Sequence, residues 1–180
     1  MAEWTAELAG IVRQYGWERR GEAFELSSGG MSFDYIDGKR ALADGMHLAM
    51  AARAVIETVG EPFDAVGGMT MGADHLSHAV AVLSGTRWFS VRKEPKTHGT
   101  RSQLEGAVLS EGDRIVLVDD AVTTGRSILL ALAAITGIGV EVVCAVPLVD
   151  RGDTAGPAFA ERGIRWSPLL TYVDLGIDPV

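Results

Sequence analysis

Residues 114–127 read Arg114-Ile-Val-Leu-Val-Asp-Asp-Ala-Val-Thr-Thr-Gly-Arg-Ser127, and this stretch decides the fold. Its apolar run, 115–118, predicts a buried strand that ends at two carboxylates, Asp119 and Asp120. A turn of small and hydroxyl residues follows, and apolar residues then recur at helical spacing from Ile128. A buried strand, a short turn and an amphipathic helix are typical of α/β proteins with a parallel sheet.

The same stretch has the residue types of a phosphate site. Ligands of open α/β sheets bind at the carboxyl ends of the strands, and backbone N–H groups at the start of a helix attract anions. We therefore expect the turn 123–127 to hold a phosphate. Asp119 and Asp120 are then placed to hold hydroxyl groups, or a metal, on the same ligand. For this stretch alone, the alternative is a strand, an acidic turn and a helix cap that bind no ligand.

The rest of the chain alternates between apolar runs and helical patterns, which predicts a parallel sheet covered on both faces. The predicted strands are 64–67, 88–91, 115–118 and 140–148, and the predicted helices are 5–15, 44–59, 73–83, 127–136 and 154–161. Segments 24–30 and 35–38 are predicted to be short strands or loops, because glycines interrupt them. The two ends depart from the alternation and are expected to form a flap. No linker divides the sequence, so we expect a single domain over 1–180.

Composition excludes several classes of protein. The chain has 180 residues, 47% hydrophobic and 22% charged, which is typical of a globular domain rather than a disordered chain. No apolar stretch approaches the roughly 20 residues that span a bilayer, and the first residues lack the pattern of a secretory signal. The net charge of −8 disfavours nucleic acid as a partner. A single cysteine, Cys144, excludes an internal disulfide, and we expect a cytoplasmic protein.

Positive charge is concentrated in residues 87–101, which contain five basic side chains and one acidic side chain. Here a predicted strand leads into a loop that carries Arg92, Lys93, Lys96 and His98. A cationic loop beside a phosphate site is suited to close over a polyanion, exclude water and stabilise a leaving pyrophosphate. For this segment alone, a solvated basic loop is the alternative.

Both motifs resemble those of a known family. Segment 116–127 is similar to the motif with which type I phosphoribosyltransferases bind phosphoribosyl pyrophosphate (PRPP). The string Arg92-Lys-Glu-Pro-Lys-Thr-His-Gly99 is similar to the catalytic loop of orotate phosphoribosyltransferases, and few other families have it. Three further segments resemble that family in the same order: a base-binding segment at 24–37, a pyrophosphate loop at 66–74, and Arg151 after a strand.

The resemblance implies the type I phosphoribosyltransferase fold, an α/β fold in which helices flank a central, mostly parallel sheet. A small hood is expected from about residues 1–40, with the C-terminal end as a second candidate for it. The implied reaction transfers the phosphoribosyl group of PRPP to orotate in pyrimidine (UMP) biosynthesis, with Mg²⁺ held mainly by PRPP. The implied assembly is a homodimer with shared active sites. Two alternatives remain at this point: a phosphoribosyltransferase for another base, and a non-catalytic regulator that senses PRPP.

The resemblance also assigns roles to residues of this chain. The implied catalytic residues are Lys93, Lys96, His98, Asp119 and Asp120. The implied PRPP contacts are Arg92, Lys93, Lys96, His98, Asp119, Asp120, Ala121, Val122, Thr123, Thr124, Gly125, Arg126 and Ser127, and the implied orotate contacts are Thr123 and Arg151. The chain departs from the family at Gly30, Met31 and Met71, where relatives often carry basic residues, and this predicts weaker substrate binding.

Two other features are explained without a ligand. His75 and His78 have a spacing that metal sites use, but no third ligand follows at a suitable spacing. We therefore favour a solvated or capping role for both. Cys144 lies in an apolar run and lacks a cationic neighbour in sequence, so we expect a buried, unreactive thiol.

Overall fold

The computed structural model describes residues 3–26, 29–94 and 103–180. The helices in these ranges are α1 (Glu3–Ile11), which continues as a π-helical segment (Val12–Gly16), α2 (Gly38–Ala41), α3 (Gly45–Val59), α4 (Asp74–Ser84), α5 (Arg126–Thr136), α6 (Ala155–Ala160) and α7 (Tyr172–Leu175). The strands are β1 (Trp17–Glu25), β2 (Met31–Ile36), β3 (Ala65–Met69), β4 (Arg87–Val91), β5 (Leu104–Gly106), β6 (Arg114–Val122), β7 (Glu141–Asp150) and β8 (Leu170–Thr171).

The main sheet of the described residues has the strand order β5-β4-β3-β6-β7-β8. All neighbouring strands in it pair in parallel, except that β5 runs antiparallel to β4. The predicted α/β fold with a central, mostly parallel sheet is therefore confirmed. The sequence analysis did not predict β5, β8, α2 or α7, because elements of two to four residues are too short to show a hydrophobic period.

Helices cover both faces of this sheet. Alternation along β6 places Val116 and Val118 in one core, with residues of α1, α3 and α4, and Ile115 and Leu117 in a second core, with residues of α5 and α6. All four side chains are fully buried. The continuous apolar run 115–118 therefore indicates a central strand that is covered on both faces.

Strand β6 (Arg114–Val122) extends beyond the predicted range 115–118. Its pairing with β7 continues past Val118, through Asp119 opposite Pro147, to Val122 opposite Asp150. The two carboxylates therefore belong to the last residues of the strand instead of following it. Backbone pairing on one side of the strand accounts for the difference, because it holds polar residues in extended conformation at the edge where the sheet ends.

Strands β1 and β2 form a separate two-stranded antiparallel sheet, here called the hood because it lies in the segment 1–40 for which a hood is expected. Strand β2 alternates strictly between exposed and buried residues, so Ser32, Asp34 and Ile36 face inward. A flap was also expected from the C-terminal end, but β8 in this part of the chain pairs with β7 in the main sheet. Within the described ranges, no helix has the length and apolar character needed to cross a membrane.

Candidate active site

A cavity of about 270 Å³ lies where β6 ends and α5 begins. Its lining contains Lys93 and the whole predicted phosphate turn, and the full set is Met69, Lys93, Asp119, Ala121, Val122, Thr123, Thr124, Gly125, Arg126, Ser127 and Leu130. Gly125 has a φ of 77°, and a Cβ at this position would lie 2.9 Å from the Cβ of Ala155. Only glycine fits this turn without strain. The first N–H groups of α5 have no side-chain cap from Gly125, so the turn is suited to an anion.

Asp119, one member of the acidic pair, lines this cavity. Asp119 is only 4% exposed, and its Oδ1 accepts a hydrogen bond of 3.0 Å from the backbone N–H of Asp120. Burial raises the pKa of Asp119 to about 7, and the neighbouring charge of Asp120 adds to the effect. The Oδ1 of Asp120 accepts from the N–H of Ala121 at 2.7 Å. The two side chains are thus held by backbone N–H groups of their own strand.

The loop between β3 and α4 packs directly on the acidic pair. A Cβ at Gly72 would lie 2.7 Å from Asp119 Oδ1 and 2.9 Å from Asp120 Oδ1, so a side chain at this position would displace the carboxylates. Asp74 anchors the far end of the loop, since its carboxylate accepts from Thr70 Oγ1 at 2.6 Å and from Ser90 Oγ at 2.7 Å. The predicted pyrophosphate loop therefore lies against the acidic pair, and the peptide between Thr70 and Met71 is cis.

Arg151 lies at the end of β7, next to the phosphate turn. Its backbone N–H donates to Val122 O at 2.7 Å, which places it beside Thr123. Arg151 is 2% exposed, and its Nη2 donates to Ser32 Oγ at 3.1 Å while Nε has no partner among the described residues. Burial lowers the pKa of Arg151, and the charge of Asp34 opposes that effect. A buried guanidinium with an unused donor is suited to bind an anionic group of a ligand.

Asp34 is a buried charged residue of the hood. It is 3% exposed, and its carboxylate accepts from Trp17 Nε1 at 2.9 Å and from Arg19 Nη1 at 3.1 and 3.2 Å. Ser32 and Asp34 lie in the predicted base-binding segment 24–37 but had no role of their own in that prediction, and Lys39 had no predicted role. The period-two pattern of β2 would have placed Ser32 and Asp34 on one face, but it does not show which buried group that face meets.

The predicted loop residues are brought together only in part. Lys93 lines the phosphate cavity, whereas Arg92 points toward Glu105, with its Nη1 3.5 Å from Glu105 Oε1. Arg92 and Lys93 both line a second cavity, which is also lined by Thr70, Met71 and Asp74 of the predicted pyrophosphate loop. Lys96 and His98, two of the predicted catalytic residues, lie outside the described residues.

Of the two histidines, His78 is exposed as expected, whereas both ring nitrogens of His75 are buried with no hydrogen-bond partner among the described residues, so His75 has neither the expected solvated role nor a capping role. The ring of His78 meets Trp88 edge-on with 4.4 Å between centroids, and burial lowers the pKa of His75. Residues 3–26, 29–94 and 103–180 contain no group of three or more His, Cys, Asp or Glu side chains that would hold a metal ion. Cys144 is fully buried, as predicted, and burial raises the pKa of its thiol.

Comparison with known proteins decides the family. The protein-family model of the phosphoribosyl transferase domain matches residues 65–160 of the sequence. The chain is 37% identical over 180 residues to the orotate phosphoribosyltransferase of Corynebacterium glutamicum, with 98% of this chain and 96% of that protein covered. The chain belongs to the orotate phosphoribosyltransferase family. The enzyme of that name from Rhodopirellula baltica is 35% identical over 173 residues, with 89% of each chain covered.

A solved structure shows the same architecture. The crystal structure of Mycobacterium tuberculosis orotate phosphoribosyltransferase in complex with PRPP aligns with a TM-score of 0.79 and 34% sequence identity. The alignment covers 96% of this chain and 99% of that one. The resemblance stated from the sequence is thus confirmed, for the family and for the type I phosphoribosyltransferase fold.

Proposed function

We propose that this orotate phosphoribosyltransferase transfers the phosphoribosyl group of PRPP to N1 of orotate, yielding orotidine 5′-monophosphate and pyrophosphate. One observation carries the proposal. The phosphate turn 123–127 and the buried Arg151 lie at adjacent strand ends, and Asp119 of the acidic pair lines the cavity that contains the turn. This arrangement matches a substrate that has a phosphate at one end, two ribose hydroxyls in the middle and a carboxylated base at the other end.

In the proposed reaction, the bond between C1′ and the pyrophosphate oxygen breaks and its electron pair leaves with pyrophosphate. The lone pair of orotate N1 forms the new bond to C1′, and the N1 proton is released. Positive charge develops on the ribose ring in the transition state. Asp119 and Asp120 are proposed to accept hydrogen bonds from the ribose hydroxyls and to stabilise that charge, because fixed carboxylates near the ring need little reorganisation.

The phosphate contacts follow from the same placement. The turn 123–127, which contains Arg126, is proposed to bind the 5′-phosphate through its backbone N–H groups and its hydroxyls. Lys93, Lys96 and His98, with Arg92 nearby in sequence, are proposed to neutralise the leaving pyrophosphate. Arg151, beside Thr123, is proposed to bind the orotate carboxylate, since a guanidinium offers two parallel donors to a carboxylate.

Mg²⁺ is the proposed metal, and the donor set supports binding through the substrate. Mg²⁺ in phosphate-transfer sites takes few protein carboxylates and completes its shell with phosphate oxygens and water. PRPP itself is proposed to supply most of the ligands, through its pyrophosphate and ribose oxygens. When bound, the ion offsets the negative charge of the pyrophosphate group.

Three further properties are proposed on the family resemblance. The chain is proposed to act as a homodimer in which the loop of one subunit, with Lys96 and His98, completes the site of its partner. It is proposed to be a single domain over 1–180 that carries a hood, and to act in the cytoplasm on small molecules, without nucleic acid or membrane partners. A buried, free Cys144 is consistent with a reducing compartment.

The absorbance of orotate provides the test of this function. Purified protein should remove orotate when PRPP and Mg²⁺ are both added, and should leave it unchanged when either is omitted. Uracil and hypoxanthine serve as alternative acceptors under the same conditions. Faster conversion of either base than of orotate would favour a phosphoribosyltransferase for another base. No conversion of any base by folded protein would favour the regulator instead.

A further inference from the structure

Lys39 forms an ion pair with one member of the acidic pair. Its Nζ lies 2.8 Å from Asp120 Oδ2 and 3.8 Å from Asp37 Oδ1. The side chain of Asp120 is 15% exposed, whereas that of Lys39 is 48% exposed. Lys39 belongs to α2 and is 81 residues away from Asp120 in sequence, so the contact joins the segment after the hood to the centre of the proposed site.

The backbone beside Lys39 is built to approach Asp120 closely. A Cβ at Gly38 would lie 2.8 Å from the Cβ of Asp120 and 3.2 Å from Leu148 Cδ2, so this helix start fits against the strand only with glycine. Asp37 fixes the start of α2, because its Oδ1 accepts from the N–H of Arg40 at 3.0 Å. The ammonium group of Lys39 therefore belongs to a segment whose backbone packs against Asp120, and not to a distant loop.

With the Lys39 contact, both carboxylate oxygens of Asp120 have a hydrogen-bond partner. Its Oδ1 is held by the N–H of Ala121, and its Oδ2 is held by Lys39. A carboxylate has about four acceptor positions, so both bonds leave room for ribose hydroxyls. The hydrogen bond to Asp120 also raises the pKa of Lys39, which keeps the ammonium charged across the working pH range.

We infer that Lys39 is a positioning residue, which holds the Asp120 carboxylate in the orientation needed to accept a ribose hydroxyl in the transition state. The inference rests on the function proposed above. An exposed ion pair contributes little to stability, so the expected effect of Lys39 is on turnover and not on folding. In this proposal Lys39 acts through Asp120 and not by direct contact with the reacting atoms.

The test compares Lys39→Met, which preserves side-chain length and removes the charge, with the wild-type enzyme. We expect kcat to fall about 10-fold, since small misplacement of a positioned group costs rate on this scale. The orotate KM and the thermal midpoint should stay near the wild-type values. Lys39→Arg should recover most of the lost kcat, because it restores a cation within reach of Asp120. Arg40→Met is the matched control, since it removes one charge from the same short helix.

A double-mutant cycle separates positioning from any other role of Lys39. Asp120→Asn alone should lower kcat by roughly 10²–10³, the scale for one preorganised electrostatic group. If Lys39 acts through Asp120, adding Lys39→Met to Asp120→Asn should cause no further loss. The same fractional loss in both backgrounds, or an unchanged kcat in Lys39→Met, would overturn the inference. The wild-type enzyme separates failure of the proposed function from failure of the inference on Lys39. If the wild type does not convert orotate, the proposed function fails. If it does, the variants decide the role of Lys39.

Discussion

Arg151 Nη2 donates a hydrogen bond of 3.1 Å to the hydroxyl of Ser32, although the two residues are 119 positions apart in sequence. The hydroxyl is itself held, because Ser32 Oγ donates to Asp34 O at 3.2 Å and accepts from Asp34 N at 3.1 Å. The inner face of the hood thus fixes the group proposed to bind the orotate carboxylate. This contact links the base end of the site to the segment that resembles the family's base-binding region.

Replacing Arg151 should affect orotate far more than PRPP. A hydrogen bond to a charged group is worth about 1.5–3 kcal/mol, so Arg151→Ala should raise the orotate KM roughly 10- to 100-fold. The PRPP KM should change little. Steady-state kinetics with each substrate varied in turn measures both values, and circular dichroism verifies folding. Equal increases in the two constants would count against an orotate contact, and Arg162→Ala provides a control for loss of one arginine.

Removing the Ser32 hydroxyl should produce a weaker version of the same effect. Ser32→Ala leaves the charge of Arg151 in place but removes the acceptor that orients Nη2, so the orotate KM should rise several-fold with an unchanged PRPP KM. Ser32→Thr retains a hydroxyl in a strand position and should restore the wild-type value. An effect of Ser32→Thr as large as that of Ser32→Ala would show that packing, rather than the hydroxyl, is responsible.

The buried carboxylate of Asp119 makes stability depend on pH. Its pKa is about 7 in the folded chain and near 3.9 when unfolded. Between these values the folded state binds more protons, so stability is greatest at low pH in this window and declines as pH rises toward 7. Each unit of pKa displacement corresponds to about 1.4 kcal/mol. Asp119→Asn removes the charge and keeps an acceptor for the Asp120 N–H.

Thermal unfolding between pH 5 and pH 8 measures this effect. Asp119→Asn should unfold at a higher temperature than the wild type at pH 8, by several degrees, because about 1 kcal/mol shifts the midpoint of a chain this size by about 2–4 °C. The difference should shrink as the pH is lowered toward 5. A difference that is constant across the range, or that grows toward low pH, would show that Asp119 is charged in the folded state throughout.

Subunit mixing tests the proposed shared site. If the loop of one subunit serves the site of its partner, a heterodimer of Lys96→Ala and Asp120→Asn subunits has one intact site and one doubly damaged site. Random pairing of the two inactive dimers should then recover about a quarter of wild-type activity. Mixing Asp119→Asn with Asp120→Asn is the matched control and should recover nothing, because both carboxylates belong to one subunit's part of the site. Absence of recovery in the first mixture, with exchange verified by two affinity tags, would contradict the shared site.

The sequence predicts local features of the site better than distant contacts. Strand β6, the phosphate turn and helix α5 are contiguous, so apolar periodicity and the glycine at position 125 suffice to place them. The ion pair of Lys39 with Asp120 and the bond of Arg151 to Ser32 depend on how the hood and α2 dock on the sheet. No local pattern encodes that docking. The pKa of Asp119 was likewise inaccessible, because it depends on burial beneath Gly72 in another loop.

The reverse reaction tests the central claim most directly, because two nucleotides that differ only in the carboxylate report its recognition. Purified enzyme is given pyrophosphate and Mg²⁺ with either orotidine 5′-monophosphate or uridine 5′-monophosphate, and release of the free base is followed by absorbance and chromatography. The proposed function predicts orotate from the first nucleotide and little or no uracil from the second. Release of uracil at a rate equal to or above that of orotate would contradict the assignment of Arg151 and the proposed acceptor together.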